Sequence, residues 1–194
     1  MIVLLSVFSY EKLLEIDYQV IIQNYIDSKI GIKYMPKYAT TQPGSNQAAA
    51  DKAIAQMLLT DDRAYVFPEY PNLDQGVEIT GALSYLYSIA KAYATPPLPK
   101  SPNIHYKNIT TLDIISKALD FIVEKQYTFR EYVPPLPNNK GKQDWYEWQI
   151  AIPRAINDIL MTMGQDISNE LLTKLVKRSR HYQPNSTHSG PIGM

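Results

Sequence analysis

Apolar residues in this chain of 194 residues recur at intervals of three and four, and this spacing constrains the fold more than any other feature. Steps of three and four residues return to the same face of an α-helix. No segment shows the sustained alternation of apolar and polar residues that a half-buried strand requires. The sequence therefore predicts an all-α fold of about six helices in antiparallel pairs. The length suits a single domain spanning residues 1–194.

Glycine, proline and polar loops separate the predicted helices. The helices are expected over residues 10–28, 45–59, 79–93, 110–126, 144–163 and 166–175. Ser45 or Asn46 is the predicted N-cap of the second helix, and the run from Thr110 to Asp113 is a predicted capping box for the fourth. Pro-Pro-Leu-Pro connections follow the third and fourth helices, at residues 96–99 and 134–137. Helices joined by stiff proline connections suit a stacked or toroidal array.

Both tryptophans of the chain fall within four positions of each other, in the segment Gln143–Asn157. A helix there would have Asp144 as its N-cap, with Glu147 completing a capping box. Pro153 is expected to bend this helix or to split it, because proline removes a backbone hydrogen bond. One apolar stripe is predicted on this helix, made of Trp145, Trp148, Ile152, Ile156 and Ile159. Tyr146 projects from another face, so these rings either belong to the core or leave one ring facing a cleft.

Composition excludes several classes of function. The 19 basic and 19 acidic residues give zero net charge, so no overall field recruits nucleic acid or a membrane surface. Cysteine is absent, and the three histidines show no metal-binding spacing, so we expect neither a metal site nor a cofactor. Tyrosine is abundant at 15 residues, which suits half-buried ring surfaces such as sugar-binding clefts, although helix margins also accept such rings.

A basic run near the C-terminus offers a local charge cluster. It contains Lys174, Lys177, Arg178, Arg180 and His181. These cations either meet the carboxylates or sulfates of an acidic ligand, or they lie at a solvated helix end where the negative end of the dipole favours them.

The segment from Asp144 to Asn157 resembles the signature Asn-Trp-Trp-Asp-Trp-Glu-Ile-Gly-x-Pro of the N-terminal α-helical domain of polysaccharide lyase family 8. That family comprises the hyaluronate, chondroitin and xanthan lyases. The segment departs from the signature at Asp144, where the family has Asn, and at Ala151, where it has Gly. The identical positions are Trp145, Trp148, Ile150 and Pro153.

The resemblance implies a fold and a ligand. The fold would be an incomplete (α/α) toroid, and the partner an acidic polysaccharide containing uronic acid, cleaved by β-elimination. Trp145 and Tyr146 would stack on the sugar chain, with Asp144 and Trp148 completing the substrate-binding set. The protein would be a secreted or periplasmic monomer, although the apolar run from Met1 to Ser9 is a poor signal peptide.

The resemblance also implies where the chemistry lies. The family's catalytic Asn, His and Tyr follow the aromatic signature, and this chain is expected to stop before that segment. No catalytic role is assigned to any residue, and His181 and His188 match no catalytic motif. Two alternatives stay open: a non-catalytic carbohydrate-binding module and a helical-repeat module that binds proteins.

Overall fold

The computed structural model describes residues 19–30, 40–72, 74–131 and 144–182, which form helices joined by turns and loops. Apart from an isolated bridge between Leu98 and Ser101, these residues form no β structure, and the predicted all-α fold is confirmed. The helices are α1 (residues 19–30), α2 (Gln42–Ala55), α3 (Gly76–Ala94), α4 (Ile109–Phe121), α5 (Ile152–Met163) and α6 (Asn169–Tyr182). The predicted features at Met1–Ser9, residues 10–18, the 134–137 connection and His188 lie outside the described residues.

Successive helices run in opposite directions. The start of α3 meets Asp144, just ahead of the segment that leads into α5, and the ends of α1, α3 and α5 meet around one cavity. These three helices are therefore parallel. Asn46, near the start of α2, bonds Thr95 just beyond the end of α3, so α2 runs the other way. Tyr182, the last residue of α6, stacks on Tyr127 beyond the end of α4, so these two helices run together, against α5.

This alternation places the helix ends in two groups. We call the end that contains Gly76, Tyr127, Asp144 and Tyr182 the aromatic end of the bundle. The opposite end contains Ala94, the loop of residues 95–108 and Met163. Three antiparallel helix pairs in sequence are the arrangement of an incomplete (α/α) toroid, as predicted.

Helix α3 is the centre of the core because it packs against α2, α4 and α5. Its apolar residues surround most of its circumference, which is the pattern of a helix enclosed by neighbours. Those fully buried are Ile79, Leu83, Leu86, Ile89, Ala90 and Ala92. On α2, the small side chains of Ala50 and Ala53 are buried in the same core.

Two predicted caps are wrong. Helix α2 begins at Gln42 with Pro43 in its first turn, and Asn46 lies inside the helix, where its buried amide donates to Thr95 Oγ1 at 2.8 Å. Helix α4 is capped by Asn108, whose side chain accepts from the N–H groups of Thr110 and Thr111 at 2.9 and 3.2 Å. The backbone N–H of Thr110 is therefore capped by Asn108, and Thr110 does not begin the predicted capping box.

Candidate functional site

The tryptophan segment forms a continuous helix from residue 145 to residue 163 that changes its winding on the way. Glu147–Ala151 is a π-helical turn, and α5 follows it with Pro153 buried in its first turn. Proline lacks the N–H group that an α-helical bond needs, and a wider turn just ahead of it accommodates that loss. In place of the predicted bend or split, the helix continues through Pro153 and changes from π-helical to α-helical winding just before it. Such π turns are frequent at functional sites.

Trp148 lies in the core and has no exposed surface. Its ring centroid is 5.5 Å from that of Tyr127 and 5.2 Å from that of Tyr182, and the Arg130 guanidinium lies 4.8 Å above the ring. The Tyr127 hydroxyl donates to the Trp148 carbonyl at 2.9 Å. The ring therefore has no face open to a ligand, and its predicted role in substrate contact is replaced by a role in packing. The predicted stripe is buried at Ile152, Ile156 and Ile159 as well.

Asp144 and Glu147 bind helix α3, not the end of their own helix as the capping box predicts. Asp144 is only 2% exposed, and its Oδ2 accepts from the backbone N–H of Gly76 at 3.0 Å. Glu147 Oε2 accepts from the Thr80 hydroxyl at 2.7 Å, one turn further along α3. The two carboxylates therefore fasten the start of the tryptophan helix to the first turns of α3. Asp144 is too deeply buried to touch a large ligand, which corrects its predicted contact role.

The environment of Asp144 disfavours its charged form. Burial raises the pKa of this carboxyl to about 6, the Gly76 N–H group lowers it, and the nearby Glu147 raises it. Its second oxygen, Oδ1, is buried and has no hydrogen-bond partner among the residues that the structure describes. A protonated carboxyl would still accept from Gly76 while removing the buried charge.

Tyr146 and Trp145 occupy the surface at the aromatic end. Tyr146 is 51% exposed, whereas Trp145 is half-buried and packs partly on the core. Their rings meet edge to face, with centroids 6.0 Å apart and planes at 87°. Tyr146 is therefore the ring of the predicted set with the most surface available for stacking, and Trp145 supports it from the side.

Close backbone packing fixes the position of this pair. A Cβ atom on Gly76 would lie 2.5 Å from Glu147 Cβ and 2.7 Å from Asp144 Oδ2. Such distances are shorter than any ordinary contact, so only glycine lets the two helices approach this closely. The absence of a side chain at Gly76 thus sets how closely Trp145 and Tyr146 approach the start of α3.

Residues 127–131 supply a second group at the aromatic end that the sequence reasoning did not single out. Phe129 is 49% exposed, and the Arg178 guanidinium lies 3.6 Å from its ring centroid. His181 meets the Phe129 ring edge to face at 5.0 Å and donates from Nε2 to the Arg130 carbonyl at 2.8 Å. No periodicity links residue 129 to residue 178, so only the return of α6 brings them together.

The basic run divides into three parts. Lys174 contacts the carboxylates of Asp120, Glu124 and Glu170 at 2.8, 3.5 and 3.6 Å, so its charge is satisfied within the protein. Lys177 and Arg180 border a shallow groove beside Leu172 and Val176 on the outer side of α6. Arg178 and His181 contact the Phe129 ring.

Two cavities lined by described residues lie away from the aromatic pair. One of about 590 Å³ between α4 and α6 has four basic and four acidic side chains, a balance that does not attract a polyanion. Another, of about 390 Å³, lies at the opposite end around Ile30, Ala94 and Met163. Neither contains Trp145 or Tyr146.

The described histidines have structural partners. His105 is buried, with its Nδ1 3.0 Å from Thr111 Oγ1 and its Nε2 2.9 Å from Asp51 Oδ1, and it joins the 95–108 loop to α2 and α4. Across the described ranges, no group of three or more acidic or histidine side chains is placed to hold a metal ion. Nor does any helix in those ranges have the length and apolarity needed to cross a bilayer.

The architecture is that of the helical domain of polysaccharide lyases. A Paenibacillus xanthan lyase superposes with a TM-score of 0.70 at 20% identity, over 90% of this chain and 16% of that enzyme. The chondroitin AC lyase of Streptomyces coelicolor A3, solved with chondroitin sulphate, superposes with a TM-score of 0.66 at 19% identity, over 90% of this chain and 22% of that enzyme.

Sequence comparison places the chain in a family. Residues 24–192 match the model of polysaccharide lyase family 8, N-terminal alpha-helical domain, and the chain belongs to this family. It is 27% identical over 110 residues to a hyaluronate lyase of Enterococcus faecalis, covering 56% of this chain and 10% of that protein. It is 26% identical over 144 residues to a hyaluronate lyase of Thermasporomyces composti, covering 73% of this chain and 17% of that protein. The chain thus spans less than a fifth of the length of either relative.

Proposed function

We propose that this chain supplies the aromatic substrate-binding surface of a polysaccharide lyase that cleaves uronic-acid-containing polysaccharides by β-elimination. The substrate would be an acidic polymer of the hyaluronan, chondroitin or xanthan type. The observation that carries the proposal is the half-exposed ring of Tyr146, held edge to face against Trp145 in a chain of family 8. The relatives named for hyaluronan, xanthan and chondroitin support this substrate class.

The physical basis is stacking. The flat apolar face of a sugar ring packs on an aromatic face, and a held aromatic contact contributes on the order of 1 kcal/mol. Tyr146 offers such a face, and the clamp of Asp144 and Glu147 on α3 holds it in place at little cost in ordering. Trp148 and Asp144 act beneath this surface as supports.

Calorimetric titration of the chain with a hyaluronan hexasaccharide tests this proposal. Tyr146→Ala is expected to weaken binding by about fivefold or more, since that is the loss of roughly 1 kcal/mol. Tyr106→Ala is the matched control, because Tyr106 is 40% exposed but lies at the opposite end of the bundle. Equal binding by the wild type and Tyr146→Ala would contradict the proposal.

We also propose that this chain alone does not carry out elimination. Removing the C5 proton of a uronate needs a positioned base and donors to the developing enolate. Of the described histidines, His105 is enclosed between Thr111 and Asp51, and His181 donates to a backbone carbonyl. Release of unsaturated products, followed by ultraviolet absorbance, is expected to be absent, and turnover would overturn this part of the proposal.

The same proposal covers the setting of the protein. We expect a single-domain monomer that acts outside the cytoplasm, where such polysaccharides occur, without nucleic acid, membrane or cofactor. Light scattering after size exclusion would test the monomer, and a dimer at micromolar concentration would contradict it. Fractionation of the source cells would test the location, and a cytoplasmic pool alone would contradict it.

A further inference from the structure

The aromatic end carries a basic surface in addition to Tyr146. Its members are Phe129, Arg178 and His181, which we call the Phe129 surface. The Arg178 guanidinium lies 3.6 Å from the Phe129 ring centroid, and His181 touches the same ring from the edge. Because Phe129 is 49% exposed, this group faces solvent and is not part of the core.

The charge of Arg178 is not neutralised by the described residues. Lys174, one turn earlier on α6, has three carboxylate partners, and Arg130 pairs with Asp74. In the ranges that the structure describes, no carboxylate lies within ion-pairing distance of Arg178. The cation–π contact with Phe129 restrains the Arg178 guanidinium without using its N–H donors.

The Phe129 surface is joined to the aromatic pair through Trp148. Arg130, the neighbour of Phe129, lies 4.8 Å over the Trp148 ring, and Tyr182 bridges from His181 to Trp148 by ring contacts of 4.8 and 5.2 Å. Trp148 lies one helical turn from Trp145 and shares its stripe. Burial raises the pKa of Tyr182, while the charges of Arg130 and Arg178 act in the opposite direction, in keeping with two cations close to this bridge.

We infer that the Phe129 surface is a subsite for a carboxylate of the acidic saccharide whose ring stacks on Tyr146. This inference rests on the proposed function and extends it from stacking to recognition of charge. A guanidinium presents parallel N–H donors that match the two oxygens of a carboxylate. The carboxylate would lie at the free edge of Arg178, with Phe129 excluding water from one side of the pair.

The simpler account is that Arg178 and His181 only stabilise the negative end of the α6 dipole. That account predicts an effect of substitution on helix stability and none on ligand choice. The two accounts are separated by a matched pair of ligands: a hyaluronan hexasaccharide and the same hexasaccharide with its carboxylates reduced to hydroxyl groups.

The experiment measures both affinities by calorimetry for the full chain, for Arg178→Gln and for Lys177→Gln. Lys177→Gln is the control because it removes the same single positive charge from the position next to Arg178 on α6. Lys177 borders the groove beside Leu172 and Val176 and not Phe129. The wild type is expected to prefer the carboxylated ligand, and Arg178→Gln to reduce that preference roughly tenfold, as loss of a charge-assisted pair would. Lys177→Gln is expected to keep the preference.

Two further results complete the test. Raising the salt concentration is expected to weaken hyaluronan binding by the wild type more than by Arg178→Gln, because the pair is partly screened. Phe129→Leu, which keeps Arg178 but removes the stacked ring, is expected to give an intermediate loss. A preference unchanged in Arg178→Gln, or reduced equally in Lys177→Gln, would overturn the subsite.

Failure of the subsite and failure of the proposed function give different results. If Tyr146→Ala weakens both ligands while Arg178→Gln leaves the preference intact, only the subsite is wrong. If Tyr146→Ala changes neither affinity, the stacking proposal is wrong, and with it the inference that depends on it. Circular dichroism of each variant checks that α6 is still formed.

Discussion

The carboxylate of Asp144 accepts a hydrogen bond of 3.0 Å from the backbone N–H of Gly76, which lies 68 positions earlier in the chain. The bond caps α3 with a side chain from the start of another helix, and it satisfies an N–H group that has no partner within its own helix. The same contact fixes where Trp145 and Tyr146 emerge. A buried carboxylate that is only partly satisfied makes this joint sensitive to pH.

Asp144→Asn is expected to raise the free energy of unfolding at neutral pH. The pKa of Asp144 is about 6 in the folded chain against 3.8 as its ordinary value, so between these pH values the folded chain holds a proton that the unfolded chain has lost. The contribution of Asp144 to the free energy of unfolding of the wild type therefore falls as the pH rises from 3.8 to about 6, and it stays constant at higher pH. Asn carries no charge and keeps an acceptor for Gly76, so its advantage should reach about 1–3 kcal/mol above pH 6.

Urea unfolding of both proteins from pH 4 to pH 8 measures this difference. Asp144→Ala is the control, since it removes the charge and also the acceptor, and it should be less stable than Asp144→Asn by about 1 kcal/mol or more. An advantage of Asn that is the same at every pH would contradict the account.

Gly76→Ala is expected to destabilise the fold and to displace the aromatic pair. Its Cβ would lie 2.5 Å from Glu147 Cβ, so the two helices must separate, at a cost of about 1–3 kcal/mol. Gly44→Ala is the matched control, because its Cβ would meet only Ser101 Oγ at 3.1 Å and alanine favours a helix. Thermal unfolding compares the two. Equal unfolding temperatures for Gly76→Ala and Gly44→Ala would show that the fold does not require the close approach of the helices at Gly76.

Asn108→Ala is expected to cost about 1 kcal/mol, because the Asn108 side chain caps the N–H groups of Thr110 and Thr111. Thr110→Ala should change stability by less than half of this, since Thr110 is exposed and its hydroxyl is not the cap. Chemical unfolding measures both. A larger loss for Thr110→Ala would favour the capping box that the sequence pattern predicts.

The two tryptophans should report different environments by fluorescence. Trp145→Phe leaves only the fully buried Trp148, whose emission is expected to be blue-shifted and protected from iodide. Trp148→Phe leaves the half-buried Trp145, whose emission should be quenched more readily, and it should also destabilise the core by about 1–3 kcal/mol. Equal quenching in both variants would contradict the assigned exposures.

The helices could be predicted from the sequence because each apolar stripe is a local pattern. The buried face at Trp148, Ile152 and Ile156 follows directly from their spacing. The family signature at Trp145 and Pro153 led correctly to the (α/α) fold, which the comparisons confirm.

Partners distant in sequence could not be predicted in this way. Asp144 followed by Glu147 has the spacing of a capping box. Both side chains instead bind α3, because its Gly76 N–H and Thr80 hydroxyl donate hydrogen bonds to them. The sequence pattern predicts Asn46 as a possible helix cap. In the fold its buried side-chain amide instead donates a hydrogen bond to Thr95 Oγ1. The contact of Arg178 with Phe129 forms because α6 ends at the aromatic end of the bundle, and no local sequence pattern predicts this position.

The most direct test of the account is an NMR titration that follows the indole N–H signals of the chain, of which there are only two. On addition of a hyaluronan hexasaccharide, the Trp145 signal is expected to shift, because in the proposed complex that ring would lie next to the sugar stacked on Tyr146. The Trp148 signal should stay nearly unchanged, since its ring is enclosed by Tyr127, Tyr182 and Arg130. A titration that leaves the Trp145 signal in place at saturating ligand would contradict the central claim.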